Sequence, residues 1–275
     1  MWKNYSGVLG MKIAVISDIH SNPRALEKAL ADAKEQGCKR TICLGDIVGY
    51  GYDPVSCIDI CRDNHVECCI GNHDAGLIGR ISLDWFIQSA KDGIIRQRKV
   101  VDEEHRKFLE GLPFTIKEEI GGRKICFSHG SFSYPSQFNY IQGCLDAARE
   151  IWLNSVQFDC LFVGHTHEAL AFVTDEIHKD MPKELSINNA PDLTVKLSNW
   201  IHVIINAGSV GYPRVQKHIT YVIYDTEKQT ISYRSLPFDF NDYVAEMEKR
   251  DIPLPIWLKS YLTPDAYVSP SKRLW

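Results

Sequence analysis

The chain has 275 residues, 44% of which are hydrophobic, and its formal net charge is -4. Single α/β domains reach this length, so we expect one domain, residues 1–275, with a large hydrophobic core. The slightly acidic balance provides no electrostatic basis for broad binding of nucleic acid.

The first 70 residues predict three strands joined by two helices. Asn22 and Asp53 each precede a proline and are therefore candidates for helix N-caps. In chain order the elements are strand 12–17, a helix from Pro23 to Gly37, strand 40–44, a helix from Pro54 to Asn64 and strand 65–70. This order favours a parallel sheet with right-handed crossovers.

The next segments combine helices with antiparallel strands. Residues 83–98 and 103–110 are predicted helices that cover a sheet face, the second capped by Asp102. Gly121-Gly122 separates two strand-like segments and predicts a hairpin. The later elements are helix 143–154, strands 159–163, 168–174 and 201–206, a hairpin of strands 220–225 and 230–235, and a helical tail, 240–275, with breaks at Pro253, Pro255 and Pro264.

Together these elements predict two mixed sheets with helices on their outer faces. The expected fold is α/β, a four-layer α/β/β/α sandwich. Two segments are expected to lie outside it. Residues 1–10 precede the first strand and are interpreted as an extension, and the polar residues 175–199 as an insertion that leaves the core.

Signals for other classes of protein are weak. The nine cysteines lie mostly in apolar segments, which favours reduced core residues over a disulfide framework. A zinc cluster is disfavoured because paired Cys-x-x-Cys spacing is lacking in the group Cys57, Cys61, Cys68 and Cys69. The amino terminus has no apolar signal core, and no apolar run approaches the ~20 residues of a membrane span. We expect a soluble cytoplasmic protein that does not bind membranes.

Five predicted strands end in side chains that can bind metal ions. The segments that follow them are Asp18-Ile19-His20, Gly45-Asp46, Gly71-Asn72-His73-Asp74, His129-Gly130 and Gly164-His165-Thr166-His167. In an open α/β sheet this edge is where ligands bind. A carboxylate buried at such a strand end needs a cation or hydrogen-bond donors.

The chemistry of these groups points to transition metals. Residues two apart in an extended chain leave it on the same side, as Asp18 and His20 would. Carboxylates mixed with imidazoles favour manganese, iron or zinc over magnesium or calcium. The candidate ligands are Asp18, His20, Asp46, Asn72, His129, His165 and His167. Seven groups are too many for one such ion and suit two ions, roughly 3.5 to 4 Å apart, that share a carboxylate.

Each segment alone also has a purely structural interpretation. Asp18 could cap the following helix, and Gly71-Asn72-His73-Asp74 could form a turn. A single histidine after a strand is often a hydrogen-bonded loop residue. The occurrence of all five segments in one chain favours the metal site.

In this order and number, the motifs resemble those of the calcineurin-like metallophosphoesterases over about residues 12–211. The resemblance implies that Asp46 bridges two metal ions. It assigns to one metal Asp18, His20, Asp46 and His167, and to the other Asp46, Asn72, His129 and His165. It also implies that His73 faces the substrate phosphate and protonates the leaving oxygen. Asp74 would orient His73 or its loop, and a structural role is equally open.

Within that family the sequence resembles the small bacterial and archaeal phosphodiesterases. Gly45-Asp46 lacks the following Asp-Arg pair of protein serine/threonine phosphatases, whereas Ala207 departs from a proline usual in the phosphodiesterase branch. The resemblance implies hydrolysis of a small phosphodiester or nucleotide-like ester by a metal-bridging hydroxide, with manganese as the preferred metal. The alternatives are a phosphomonoesterase or nuclease of the same fold, or a non-catalytic interaction scaffold.

Four further residues are candidates for substrate binding. Arg214 follows the strand that ends at Asn206, and its guanidinium suits phosphate oxygens, with a surface ion pair as the alternative. The tyrosines lie in loops near the same edge and would either stack on a nucleobase or cover the core. They are Tyr50, Tyr52 and Tyr212.

Overall fold

The computed structural model describes residues 2–4, 10–178, 180–187, 193–214, 218–255 and 258. Its strands are β1 Lys3–Asn4, β2 Lys12–Ile16, β3 Cys38–Cys43, β4 Glu67–Cys68, β5 Thr115–Ile120, β6 Arg123–Ser128, β7 Cys160–Val163, β8 Ala169–Thr174, β9 Lys183–Ser186, β10 Thr194–Lys196, β11 His202–Ala207, β12 His218–Asp225 and β13 Thr230–Pro237. Its α-helices are α1 Pro23–Glu35, α2 Pro54–Asp63, α3 Asn72–Leu77, α4 Gln88–Gln97, α5 Glu103–Glu110, α6 Cys144–Asn154 and α7 Asn241–Lys249. Short 3-10 turns are Leu83–Trp85, Pro135–Gln137 and Leu197–Asn199.

The strands form two mixed sheets. The first sheet has the order β10-β13-β12-β2-β3-β4, and the second has the order β1-β5-β6-β7-β11-β8-β9. Within the first sheet β2, β3 and β4 are parallel, as predicted, while β12 runs antiparallel to β2. Within the second sheet β6, β7 and β11 are parallel. The carboxyl ends of these parallel strands carry the candidate ligands.

The alternation of side chains along β2 shows how the layers pack. Ile13 and Val15 point into the core between the two sheets, whereas Ala14 and Ile16 pack against the helices outside. On the second sheet, Leu161 packs outward under α6. Both sheets are therefore covered by helices on their outer faces, and the predicted four-layer sandwich is confirmed.

The predicted helix N-caps are present. The side chains of Asn22, Asp53 and Asp102 accept hydrogen bonds from the third residue beyond each, at 3.2, 3.0 and 3.1 Å. Such bonds satisfy backbone N–H groups that have no partner within the helix. The three helices thus begin at the residues that the sequence predicted.

The predictions for two segments, 83–98 and 175–199, are wrong. Residues 83–98 do not form one helix, because Phe86 and Ile87 have an extended backbone between the 3-10 turn and α4. The segment 175–199 does not leave the core over its described part. It supplies β9 and β10, and three of its apolar side chains, Ile187, Val195 and Leu197, are buried between the sheets. That it is an insertion stays a prediction.

The amino-terminal segment also differs from expectation. Residues 3–4 pair with β5 as β1, so this part of the segment 1–10 belongs to the fold. The tail begins with α7, while Pro264 lies outside the described residues.

The nine cysteine thiols are free and seven of them are buried. None of the helices in the described ranges has the length and apolarity needed to cross a bilayer.

Candidate metal centre

The candidate ligands lie where the parallel strands of both sheets end, and most of them have a strained backbone. Five have φ in the left-handed region: Asp18 at 54°, His20 at 46°, Asp46 at 55°, His165 at 69° and His167 at 63°. This conformation costs a residue with a side chain about 1–2 kcal/mol. Strain of this kind concentrates at functional sites. Here the left-handed backbone bends each loop so that its polar side chains join one cluster.

The strand-end loops are tied to one another by backbone hydrogen bonds. Asp18 N donates to Gly45 O at 3.1 Å, and His20 N donates to Asp46 O at 2.9 Å. Gly164 N donates to His129 O at 3.0 Å. Each loop therefore fixes its neighbour, and the ligands are placed by the scaffold before any ion binds.

Close approach of these loops explains two of the glycines in the motifs. A Cβ atom on Gly71 would lie 2.1 Å from Asp46 Oδ1, and a Cβ on Gly164 would lie 1.9 Å from Ser17 Oγ. Neither contact is possible without a shift of the loop. The glycines thus allow the loops to meet around the carboxylates.

A first group of donor atoms consists of Asp18, His20 and His167. His167 Nε2 lies 3.1 Å from Asp18 Oδ1 and 3.2 Å from His20 Nε2, and all three side chains are buried. The other ring nitrogens donate to carbonyls, His20 Nδ1 to Val48 O at 3.1 Å and His167 Nδ1 to Tyr212 O at 2.6 Å. This pairing leaves both Nε2 lone pairs for a metal ion.

A second group consists of Asp46, Asn72, His129 and His165. His129 Nε2 lies 3.1 Å from Asn72 Oδ1, 3.1 Å from His165 Nδ1 and 3.3 Å from Asp46 Oδ2. The same Asp46 oxygen is 3.6 Å from His20 Nε2 in the first group, while its other oxygen accepts a hydrogen bond from His73 N at 2.8 Å. One oxygen of Asp46 therefore lies between the two groups.

The environment of Asp18 tests whether these residues fit a cation. Asp18 Oδ2 accepts a hydrogen bond from His165 N at 3.0 Å. Its Oδ1 is buried and accepts no hydrogen bond within the described ranges. A bare buried carboxylate oxygen is costly, and a cation held with the nearby Nε2 atoms removes that cost. The donor set thus fits metal ions.

The protonation states of Asp18, Asp46, His165 and His167 favour the same conclusion. Burial would raise the pKa of Asp18 and of Asp46, but the surrounding histidines outweigh it and hold both pKa values below the ordinary range. Burial lowers the pKa of His167 to about 4 and that of His165 well below its usual value. Burial opposes protonation of His129 as well, yet Asp46 raises its pKa to about 9. Charged carboxylates and neutral imidazoles are the forms that bind metals, so His165 and His167 are ready to bind, whereas His129 is protonated in the metal-free protein and must release a proton first.

His73 lies beside the two donor groups. Its ring centroid is 4.6 Å from that of Tyr50 and 5.3 Å from that of Phe86, and its Nδ1 has no hydrogen-bond partner in the part of the chain that the structure describes. A ring nitrogen also lies within 4.8 Å of donors from His20 and Asp46, so metal binding by His73 is a competing interpretation. Burial lowers the pKa of His73 to about 3, and the imidazole is neutral in the free protein. An anionic phosphate beside it would raise that pKa.

Asp74 lies beneath the loop that carries Asp46. Its Oδ2 accepts from Asp46 N and Gly71 N, both at 2.9 Å, and its Oδ1 accepts from Val48 N at 3.1 Å. The side chain is fully buried. Both oxygens are thus used to hold the loop, which supports the predicted role of Asp74 in orienting it.

A cleft of about 930 Å³ opens above the ligands. Its lining includes Asp46, Asn72, His73, His165 and His167. Arg214 also lines it, as predicted for a substrate-binding residue, with its guanidinium carbon 5.9 Å from the Tyr212 ring. Tyr50 and Tyr212 line the cleft too, so stacking on a nucleobase stays a prediction for them. Tyr50 and Tyr212 stack on each other at 4.3 Å and are nearly buried, and Tyr52 packs against Tyr243 outside the cleft.

Other cleft residues were not found from the sequence. The ring of Tyr140 stacks on His165 at 3.9 Å, although it follows an irregular loop that has no local signal. The opposite wall contains Trp85, Phe86 and Arg96. These residues fall in a segment whose apolar period resembles a core helix, so nothing in the sequence directs them to the cleft.

Comparison with known proteins identifies the family. The family model described as the calcineurin-like phosphoesterase superfamily domain matches residues 11–229. An uncharacterized protein of Methanocaldococcus jannaschii is 37% identical over 248 residues, which cover 90% of this chain and 95% of that protein. The crystal structure of a metallophosphoesterase from Sphaerobacter thermophilus is 31% identical, with a TM-score of 0.74 over 89% of this chain and 95% of that one.

A more distant structure supports the fold alone. A hypothetical protein of Pyrococcus horikoshii, 17% identical, has a TM-score of 0.69 over 91% of this chain and 97% of its own. The family model covers most of the chain, and the motif residues that suggested the resemblance lie together at one edge of the sandwich. The chain belongs to the calcineurin-like phosphoesterase superfamily.

Proposed function

We propose that this protein is a phosphodiesterase that hydrolyses a small phosphodiester or nucleotide-like ester at a site for two transition-metal ions. The observation that carries the proposal is the position of Asp46 Oδ2, 3.3 Å from His129 Nε2 and 3.6 Å from His20 Nε2. A single carboxylate oxygen between two groups of imidazoles is the arrangement that a shared ligand requires.

The proposed ligand sets follow the two groups. Asp18, His20 and His167 would hold one ion with Asp46, and the second ion would be held by Asp46, Asn72, His129 and His165. When bound, manganese, iron or zinc ions supply Lewis acidity for the phosphoryl group and activate water as a nucleophile. Manganese is the ion that we expect to give the highest activity.

The remaining side chains supply binding and proton transfer. His73 borders both the ligands and the cleft, where it can donate a proton to the oxygen of the leaving group. Arg214, exposed on the same cleft, can bind phosphate oxygens in a bidentate manner. Asp74 keeps the Asp46 loop in place through its backbone hydrogen bonds.

The test is metal analysis followed by a substrate panel. Protein purified without added chelator is analysed for its metals, stripped and reloaded with manganese, iron or zinc. It is then assayed with bis(4-nitrophenyl) phosphate, 4-nitrophenyl phosphate and a nucleotide phosphodiester. We expect two ions per chain and faster turnover of diesters than of the monoester. A preference for the monoester would indicate a phosphomonoesterase, and metal binding without turnover would indicate a scaffold.

A further inference from the structure

One wall of the cleft is formed where the predicted helix 83–98 breaks. Phe86 has φ -100° and ψ 145°, and Ile87 has φ -61° and ψ 153°, so the chain is extended between the 3-10 turn and α4. All three consecutive residues, Trp85, Phe86 and Ile87, line the cleft. A continuous helix would have turned successive residues about 100° apart and could not present three in a row.

The side chains of this wall are apolar and available. Trp85 and Ile87 are each 68% exposed although they border a cavity. Phe86 lies between them in the chain, and its ring is edge-on to that of His73 with the centroids 5.3 Å apart. Exposed large apolar groups gathered at a cleft indicate a surface for an apolar part of a ligand. The contact with His73 places that part on the side of the leaving group.

A cation lies on the same wall. Arg96, on α4, lines the cleft and has no carboxylate within 4.0 Å among the residues whose placement is described. Asp92, one turn earlier, is instead held by Gln88 Nε2 at 2.7 Å. Arg40 shows the contrast, since two buried or half-buried carboxylates, Glu67 and Glu118, bind its guanidinium. Arg96 is therefore available to an anionic ligand.

We propose that Trp85, Phe86, Ile87 and Arg96 form a subsite for an aromatic leaving group that carries its own negative charge. The aromatic ring stacks or packs on the 85–87 wall, and Arg96 binds the carboxylate or phosphate attached to it. This inference rests on the proposed phosphodiesterase function and specifies its substrate. The ester would have one anion at the metal site and a second anion on the departing alcohol.

The test uses two esters that differ by one charge. Methyl 4-nitrophenyl phosphate releases 4-nitrophenolate, and methyl 3-carboxy-4-nitrophenyl phosphate releases its carboxylated form, because methoxide is the poorer leaving group in both esters. Arg96→Gln is expected to lower kcat/KM for the carboxylated ester about tenfold or more, the effect of losing a charge-assisted hydrogen bond. For methyl 4-nitrophenyl phosphate, whose leaving group lacks the carboxylate, kcat/KM should stay within about twofold of the wild-type value, since no such bond is lost.

Trp85→Ala tests the apolar part of the subsite. Both esters present an aromatic ring, so KM is expected to rise about threefold or more for each. Because Trp85 is largely exposed, the variant should fold normally. Matched controls are Arg149→Gln and Trp152→Ala on α6, which packs on the other sheet; Trp152 is 79% exposed and neither residue lines the cleft. Both controls should behave like the wild type.

A binding measurement separates the subsite from the chemistry. Calorimetric titration with 5-hydroxy-2-nitrobenzoate and with 4-nitrophenol should show tighter binding of the carboxylated phenol, and Arg96→Gln should abolish the difference. If the wild type binds in this way but hydrolyses neither ester, the proposed function is wrong and the subsite stands. Equal affinity of the two phenols for the wild type, or equal effects of Arg96→Gln on both, would overturn the subsite.

Discussion

The two sides of the cleft are built differently. On the metal side, each candidate ligand lies in the segment that follows a strand, and backbone hydrogen bonds such as that from His20 N to Asp46 O join the loops. On the opposite side, Trp85 and Ile87 come from a break between helical segments and remain mostly exposed. The candidate metal centre is thus fixed by the sheets, while the proposed recognition of the leaving group would depend on a local irregularity. Substitutions on the two sides should therefore have separable effects.

The largest effect is expected for Asp46→Asn. Its Oδ2 lies between the two donor groups, and the amide removes the negative charge that offsets repulsion between two cations. The variant should lose the two-metal stoichiometry and all measurable turnover. Elemental analysis after dialysis against manganese measures the loss.

The control for this substitution is Asp92→Asn, which removes a carboxylate from the opposite wall of the same cleft. It should keep both ions. Two ions per Asp46→Asn chain at unchanged affinity would show that Asp46 does not bridge, and the division of the cleft into a metal side and a recognition side would need to be redrawn.

His73→Asn tests the boundary between the two sides. Its ring touches Phe86 of the wall and lies near His20 of the metal side. If His73 is the proton donor, the rate for alkyl esters should fall on the order of 10² to 10⁴ while the metal content stays the same. The loss should be smaller for nitrophenyl esters, whose leaving groups need less help. Loss of metal from this variant would instead make His73 a ligand.

The two sides also differ in how well the sequence predicts them. On the metal side the signals are local: an apolar strand followed directly by a polar group, as at Asp18 and Asp46, needs only neighbouring residues to be recognised. The N-caps of α1 and α2 at Asn22 and Asp53 are equally short-ranged. Because the strands are parallel, their carboxyl ends meet at one edge of each sheet, so the position of the ligands follows from the strand prediction.

The recognition side depends on contacts that short-range patterns do not contain. The helical period across residues 83–98 continues through the break at Phe86, and only tertiary packing decides that the chain extends there. Tyr140 reaches His165 from a loop 25 positions away in the sequence. In the segment 175–199, a few apolar residues such as Val195 are sufficient to place a strand, although the average composition is polar.

A moderate effect is expected for Arg214→Ala. The guanidinium lines the cleft near Tyr140 and Tyr212, and loss of one charge-assisted contact to phosphate should lower kcat/KM about tenfold with metal content unchanged. Bis(4-nitrophenyl) phosphate and a nucleotide ester are the substrates, with Arg149→Ala as the control. Unchanged kinetics on both substrates would make Arg214 an ordinary surface residue. Arg96 would then be the candidate for an arginine that binds the substrate in the cleft.

The smallest effect is expected at His105, away from both sides of the cleft. A salt bridge near the surface should contribute little to the free energy of unfolding. His105 Nδ1 lies 2.6 Å from Asp102 Oδ1, and Nε2 lies 3.1 Å from Asp59 Oδ1 on α2. Burial lowers the pKa of His105, but the two carboxylates outweigh it and raise the pKa above its ordinary value. The resulting stabilisation is complete below the pKa of the unfolded chain, about 6.5, and is lost as the pH rises through the higher pKa of the folded protein.

His105→Gln should therefore lower the free energy of unfolding more at pH 6 than at pH 9. Because Asp102 and Asp59 are about half exposed, the difference should stay below about 1 kcal/mol. Urea unfolding of both proteins at the two pH values measures it, and metal binding cancels in the comparison because the ligands are the same. Asp59→Asn, which leaves Asp102 in place, should weaken the pH dependence. A loss of equal size at pH 6 and pH 9 would mean that His105 stabilises the contact between α2 and α5 by packing and neutral hydrogen bonds, since those do not change with its charge.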